Sequence, residues 1–231
     1  MHQGRASRPL ADLWRAVTPR AVVGFTAFTP SERQAMERAG IQVLGTVLEQ
    51  DDELPGSFSV AQSEMGRLQV RHLTGAGHDM IGYAAPTDPR VADFHVRRLT
   101  GARQECEERG LPAPLVRTVD LEVAAGAEAV RAWRAGGRPV TAVAAYNDDV
   151  AMAVLAGARS LGLRVPDDLA VIGVDDIPTA RLAVPALTTV SQSLSDLAHY
   201  LGSVVLAELD HTRDLPPTPA DLLKVVVRDS A

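Results

Sequence analysis

Short apolar runs alternate along the chain with longer segments whose apolar positions recur at helical spacing. The runs are continuously apolar, as in Met80–Ala85, Ala142–Ala145 and Leu169–Val174. Strands that are buried on both faces of a parallel sheet have this pattern, whereas half-exposed strands alternate apolar and polar positions. The longer segments, such as Val91–Arg109 and Asp148–Ser160, predict helices. The chain is therefore expected to be an α/β protein with parallel sheets.

The first part of the chain repeats the same alternation on a smaller scale. Strands are predicted at Ala21–Phe25 and Ile41–Leu48, with a helix at Glu32–Ala39 between them. Ser31 followed by Gln34 is typical of a capping box, which would start that helix. Successive sets of strand and helix units before and after a charged, Pro- and Gly-containing loop suggest two lobes.

Composition narrows the class of protein. The chain has 231 residues, 46% of them hydrophobic and 23% charged, as in folded globular proteins. A formal net charge of −6 argues against nucleic-acid binding through the overall field of this chain. The single cysteine, Cys106, excludes an internal disulfide framework and a cysteine-rich zinc site. No apolar run approaches the roughly 18 residues of a membrane span, so we expect a cytoplasmic protein without membrane contact.

Polar residues follow two of the predicted buried strands at the point where each strand ends. Asn147–Asp149 comes directly after Ala142–Ala145, and Asp175 and Asp176 come directly after Leu169–Val174. In open parallel sheets, small ligands bind at the carboxyl ends of the strands. The pattern therefore marks a candidate site without identifying its ligand.

Several interpretations of these polar groups remain open from the residues alone. Asn147 could cap the helix that follows it, and Asp175 and Asp176 could cap a short helix near Pro178. Two carboxylates would also suit a metal or acid–base chemistry, but the sequence lacks HxH, HExxH, GxSxG, GxGxxG and phosphate-loop motifs. We therefore expect neither an enzyme nor a metal or cofactor site. Arg98 lies in a strongly charged helix and is expected on a solvated face.

The stretch around these strand ends resembles the effector-binding core of LacI/GalR-type bacterial transcription regulators. The resemblance is carried by Asn147-Asp148, by GLRVPDDLAVIGVDD at Gly162–Asp176 and by PALTTVSQ at Pro185–Gln192. It continues upstream in RHLTGAGH at Arg71–His78 and in RRLTGARQECEERGL at Arg97–Leu111. These motifs at these distances are specific, and the resemblance covers most of the chain.

The resemblance implies a type I periplasmic-binding-protein-like fold of two Rossmann-like lobes. Its three crossovers would fall near Phe58–Gln62, Val190–Ser193 and Arg213–Pro217. The N-terminal lobe would then comprise residues 1–60 and 193–213, and the C-terminal lobe residues 61–192 and 214–231. The implied partners are a small polar effector, such as a sugar or nucleobase, and a second copy of the chain in a homodimer.

The effector contacts that the resemblance implies are Arg98, Asn147, Asp175 and Gln192, with Phe25 and Leu121 as further candidates for lining the site. Carboxylates accept hydrogen bonds from hydroxyl groups, while Arg and Asn donate them, so the set is chemically coherent. Asp148 and Asp176 are then better interpreted as capping and turn residues.

Departures from the family pattern lie in the first part of the chain. Val47 stands where members usually carry an aspartate, and Val60-Ala61-Gln62 replaces a common VDN. The N-terminal lobe is therefore expected to contribute differently to the ligand shell, which weakens the case for an ordinary hexose. No helix-turn-helix is found, so we expect a truncated N-terminal lobe and operator DNA contact only through a headpiece absent from this chain. A solute-binding receptor of the same fold is the alternative.

Overall fold

The computed structural model describes residues 17–24, 28–45, 62–210 and 222–231. The chain forms two compact units. The first unit comprises Met1–Val60 and Leu194–Ala220, and the second unit comprises Ala61–Ser193 and Asp221–Ala231. The predicted crossover near Arg213–Pro217 lies outside the described residues, as does all of Phe58–Gln62 except Gln62.

The described part of the first unit contains a parallel strand pair and two helices. Strands β1 (Ala21–Gly24) and β2 (Gln42–Gly45) pair in parallel, and helix α1 (Pro30–Arg38) connects them. Helix α6 (Leu194–Asp210) is contributed by the later segment. Phe25, a predicted ligand-lining residue, lies outside the described residues.

The predicted start of α1 was wrong by two residues. The N-cap is Thr29, not Ser31, and its capping-box partner is Glu32, whose carboxylate accepts from the Thr29 amide at 2.9 Å. Pro30 occupies the first helical position, where its fixed φ favours the helix and its missing N–H costs nothing. The proline therefore moves the helix start ahead of Ser31.

The second unit is built on a six-stranded sheet in the order β4-β3-β5-β6-β7-β8. Its strands are β3 (Ile81–Ala85), β4 (Leu115–Thr118), β5 (Ala142–Ala145), β6 (Ala170–Val174), β7 (Thr188–Gln192) and β8 (Leu223–Val226). The first five are parallel, which confirms the predicted α/β class. The last strand, β8, pairs with β7 in the antiparallel sense, which the sequence pattern did not predict.

Burial explains why the central strands are continuously apolar. Every residue of β3, β5 and β6 is buried, whereas the edge strand β4 is largely exposed. Trp133 is fully buried and closes the core beneath β4, and its indole N–H donates to the Leu115 carbonyl at 2.7 Å. Among the described residues, no helix has the length and apolarity needed to cross a membrane.

Four helices pack on this sheet as two pairs. Helices α2 (Gln62–Gly75) and α3 (Ala92–Glu108) form one pair, and α4 (Val123–Arg134) and α5 (Asp148–Ser160) form the other. The chain steps from β3 to one edge through α3 and returns through α4, so right-handed crossovers place the two pairs on opposite faces.

Glycine sets the separation of α2 and α3. A Cβ atom at Gly66 would lie 1.9 Å from the Arg98 carbonyl oxygen, and one at Gly101 would lie 1.9 Å from the Ser63 carbonyl oxygen. Both distances are far below van der Waals contact, so the two helices meet backbone to backbone. The position of Arg98 relative to α2 is therefore fixed by glycine packing.

Candidate functional site

The carboxyl ends of the parallel strands bring the polar strand tips of the second unit to one edge of the sheet. Asn147 follows β5 by two residues, Asp175 follows β6 directly, and Gln192 ends β7. Helix α3, which follows β3, contributes Arg98. This is the edge at which open α/β sheets bind ligands.

Asn147 is the N-cap of α5. Its backbone is extended, and its side-chain oxygen accepts a hydrogen bond from the Val150 amide at 3.0 Å. The capping interpretation from the sequence is therefore correct for the oxygen. The side-chain nitrogen is not used in the cap, so it keeps two N–H donors for a ligand.

Arg98 is buried, with only 6% of its surface exposed, so the expectation of a solvated face was wrong. Its Nε donates to the Gln62 side-chain oxygen at 2.7 Å, and its Nη1 donates to the Tyr146 carbonyl at 2.7 Å. The guanidinium carbon also lies 4.7 Å from the centre of the Tyr146 ring, a cation–π distance. The third guanidinium nitrogen, Nη2, lies 3.5 Å from Asp175 Oδ1.

Asp175 stands on a turn with unusual backbone geometry. Asp175 and the following Asp176 have φ values of 107° and 51°, in the left-handed region that residues with a side chain rarely adopt. The Asp175 amide donates to the Val190 carbonyl at 2.8 Å, which ties the turn to β7. Burial raises the pKa of the Asp175 carboxyl, and the positive charge of Arg98 opposes that effect. The side chain is still 42% exposed, so a ligand can reach it.

The Asp148 side chain stabilises the turn that carries Asp175. The residue is completely buried, and its carboxylate accepts from the Thr189 hydroxyl at 2.6 Å and from the Ile177 amide at 2.9 Å. Burial raises the pKa of Asp148 to about 6, although both hydrogen bonds act in the opposite direction. The carboxylate therefore serves the turn that carries Asp175.

Asp176 points to a different partner. Its Oδ1 accepts from Arg228 Nη2 at 2.5 Å, and the same guanidinium donates to the Leu187 carbonyl at 2.7 Å. Asp176 thus connects the turn to the segment after β8, in agreement with its interpretation as a turn residue.

A cleft of about 290 Å³ opens beside Asn147. Its lining residues come from the segments that follow β3, β4 and β5, including the first turn of α5: Pro86, Thr87, Asp88, Arg90, Val91, Val119, Leu121, Tyr146, Asn147, Asp149 and Val150. Leu121 is 65% exposed and forms part of an apolar wall. Asp88 and Arg90 also line this cleft. They form a two-point ion pair, which lowers the pKa of Asp88 to about 2.

The structure brings some of the predicted contacts together more closely than others. Arg98 and Asp175 form an ion pair. Asn147 and Leu121 instead line the cleft described above, whose lining does not include Arg98 or Asp175. Gln192 reaches the same edge of the sheet on β7, but among the described residues no hydrogen bond joins its side chain to the other three contacts.

Two further residues hold Arg98 in place, and the sequence did not predict this role for either of them. Tyr146 supplies both a carbonyl and a ring to Arg98, and its place between β5 and Asn147 could have identified it. Gln62 supplies the buried acceptor for Nε, but it lies 36 residues before Arg98, and no local pattern connects the two.

Histidine and cysteine side chains among the described residues are further candidates for metal ligands or reactive groups. Within those residues, no group of three or more His, Cys, Asp or Glu side chains could hold a metal ion. His78 pairs with the Thr141 hydroxyl at 3.0 Å. Cys106 is buried in α3, and burial raises the pKa of its thiol to about 11, which disfavours a reactive thiolate.

A mostly parallel sheet with polar groups at its carboxyl edge, in a unit assembled from two separate segments, is an α/β architecture of the kind that commonly binds small molecules at that edge. The model of the periplasmic binding protein-like domain matches residues 70–231. The chain belongs to this family.

Several curated relatives of the chain are transcription regulators. The HTH-type transcriptional regulator GalS of Salmonella typhimurium is 32% identical over 166 residues, which are 71% of this chain and 48% of GalS. The chain spans about half the length of the curated relatives it matches. The predicted resemblance to the LacI/GalR-type effector-binding core is thus confirmed.

Solved structures agree on the fold. A sugar-binding LacI-family transcriptional regulator from Escherichia coli, complexed with phosphate, has a TM-score of 0.76 and 24% identity, covering 96% of this chain and 80% of that one. A LacI-family regulator from Enterococcus faecium with bound ribose has a TM-score of 0.77 and 19% identity, covering 96% and 83%. At these identities the likeness concerns the fold alone.

Proposed function

We propose that the chain is the effector-sensing part of a LacI/GalR-type transcriptional regulator, and that a small polar effector binds at the carboxyl edge of the second unit. The observation that carries the proposal is the pair of Arg98 and Asp175. A buried guanidinium with one end left for a ligand lies 3.5 Å from a carboxylate that is accessible to solvent.

The chemistry of the site suits a ligand with several hydroxyl or ring-nitrogen groups. Asp175 can accept two hydrogen bonds from neighbouring hydroxyls, while Arg98 Nη2 and the Asn147 amide donate. Gln192 can donate or accept at the same edge, and Leu121 offers an apolar surface to one face of a ring. A sugar such as the ribose bound by the Enterococcus faecium neighbour, or a nucleobase, fits this description.

The effector would act by favouring one arrangement of the two lobes. In regulators of this type, such a preference couples effector binding to operator binding, typically by about 1–3 kcal/mol. A homodimer would pair two operator-binding headpieces. With a net charge of −6, this chain does not offer the positive electrostatic potential that DNA binding requires. We therefore assign DNA contact to a helix-turn-helix headpiece and not to this chain.

A thermal-shift screen of sugars, nucleosides and nucleobases tests the assignment. A compound present at 100 times its Kd should raise the free energy of unfolding by about 2.7 kcal/mol. Arg98→Ala and Asp175→Ala should abolish that shift, and Arg131→Ala, an exposed arginine on α4, is the matched control. If both site variants bind the compound as the parent does, the site is wrongly assigned.

A further inference from the structure

Helix α2 presents two buried glutamines to the elements that carry the candidate site. Gln62 is 2% exposed and Gln69 is fully buried, and their spacing of seven residues places them on one face of the helix. Gln69 Nε2 donates to the Ala145 carbonyl at 2.8 Å and to the carbonyls of Ile172 and Gly173 at 3.2 Å. Gln62 instead accepts from Arg98 Nε at 2.7 Å. One glutamine thus holds the strand ends, and the other holds the arginine.

We propose that Gln62 is a positioning residue for the effector site, because its side-chain oxygen fixes the plane of the Arg98 guanidinium and so directs Nη2 towards Asp175 and the ligand. The proposal rests on the effector-binding function proposed above. It adds a residue that does not itself have to touch the effector.

The geometry of the guanidinium supports this role. The group is planar and its five N–H donors diverge at fixed angles, so two hydrogen bonds determine its orientation. Gln62 takes Nε and the Tyr146 carbonyl takes Nη1, both at 2.7 Å. The third corner, Nη2, is then left facing Asp175 at 3.5 Å. Without Gln62, a buried N–H of a charged group would lose its acceptor and the plane could turn about the remaining bond.

Helix packing makes the length of the side chain important. Gly66 lies one turn after Gln62, and it is the residue at which α2 touches the Arg98 backbone. The distance between the two main chains is therefore fixed before the side chains meet. A shorter acceptor such as asparagine at position 62 would leave a gap of about one C–C bond, roughly 1.5 Å.

The neutral amide also matters. A carboxylate at this position would accept the same hydrogen bond but would place a second negative charge on Arg98, in competition with Asp175 and the effector. Glutamine supplies the acceptor and leaves the positive charge of the guanidinium for the ligand side.

Gln69 provides the matched control for an experiment on the full chain. Gln62→Met and Gln69→Met each remove a buried amide from the same face of α2. Two quantities are measured for each variant: the Nε–H signal of Arg98 in ¹H–¹⁵N NMR, assigned by its loss in Arg98→Lys, and the Kd for the compound from the thermal-shift screen, with d-ribose as the first probe.

Gln62→Met is expected to shift the Arg98 Nε–H signal, speed its exchange with water, and weaken binding by about tenfold or more, as expected for a lost hydrogen bond to a charged group. Gln62→Glu should keep the Nε–H signal. Gln69→Met should lower the melting temperature but leave the Nε–H signal of Arg98 as in the parent.

Two results would overturn the inference. One is an unchanged Nε–H signal and Kd in Gln62→Met. The other is a shift of the Arg98 Nε–H signal in Gln69→Met that is as large as the shift in Gln62→Met. The NMR signal does not depend on a ligand. If d-ribose and every other compound fail to bind the parent chain, the proposed function fails, while the signal still decides whether Gln62 orients Arg98.

Discussion

Replacing Asp148 by asparagine gives a quantitative test of how the site is built. Burial raises the pKa of this carboxyl from an ordinary 3.8 to about 6 in the folded chain. Each pKa unit corresponds to 1.36 kcal/mol, so keeping the carboxylate ionised at neutral pH costs the folded state about 3 kcal/mol. A protein that retains such a group gains something other than stability, and here the carboxylate holds the Asp175 turn.

The sign of the pH dependence follows from proton binding. Between pH 4 and pH 6 the folded chain binds more protons at Asp148 than the unfolded chain does, so the contribution of this group to stability falls as the pH rises. It is fully present below about pH 4 and lost above about pH 6. Asparagine cannot titrate, so Asp148→Asn should remove this component.

Urea unfolding of the parent and of Asp148→Asn at intervals from pH 4 to pH 7 measures the effect. Asparagine also lacks the second acceptor for Thr189 or Ile177, which lowers stability at every pH by about 1–3 kcal/mol. This loss of a hydrogen bond is the same at every pH. The pH dependence of the difference in unfolding free energy between the parent and Asp148→Asn therefore reports the titration of the Asp148 carboxyl. We expect the difference to change by about 2 kcal/mol over this range.

Asp149→Asn is the matched control, because Asp149 is the next residue of the same helix and is exposed. It measures the effect of removing one negative charge at the start of α5 without removing a buried carboxylate. If the curve of Asp148→Asn runs parallel to the parent curve, burial does not disfavour the charge of Asp148, and the reasoning is refuted.

Three further substitutions test separate contacts. Gly66→Ala should lower the melting temperature strongly, because its Cβ would lie 1.9 Å from the Arg98 carbonyl oxygen. The expected loss is about 3 kcal/mol or more in the free energy of unfolding. An unchanged melting temperature would contradict the close backbone packing of α2 and α3. Thr189→Val removes the hydroxyl that donates to Asp148 at 2.6 Å, so urea unfolding should show a loss of about 1–3 kcal/mol. Leu121→Ala should change stability by less than about 0.5 kcal/mol because the side chain is 65% exposed, while calorimetric titration should show weaker effector binding.

The elements of the second unit were largely predictable because local pattern determines them. The buried runs of β3, β5 and β6 have the apolar continuity of central parallel strands, and the start of α5 carries its own N-cap in Asn147. By contrast, β8 joins the sheet as an antiparallel edge strand, and its direction depends on where a distant segment returns. The start of α1 was misplaced because Pro30 outweighs the local capping signal of Ser31.

The residues of the candidate site could be proposed from the sequence, but the contacts between them could not. The strand ends indicated Asn147 and Asp175, and the family resemblance indicated Arg98. The hydrogen bonds of Arg98 reach residues 36 and 48 positions away, and no periodicity encodes such distances. The charged sequence around Arg98 even favoured a solvated face, because a buried arginine is recognisable only when its acceptors are known.

The exposed position of Leu121 has a consequence for how effector preference can change. Asp175 and Arg98 form the central ion pair of the proposed site, so replacing either one is expected to abolish effector binding and not to change its selectivity. Leu121 stands on the short connection between β4 and α4, at the open edge of the sheet, where substitutions cost little stability. Random mutagenesis confined to this connection should therefore yield folded variants with altered ligand selectivity, and natural divergence would find the same route.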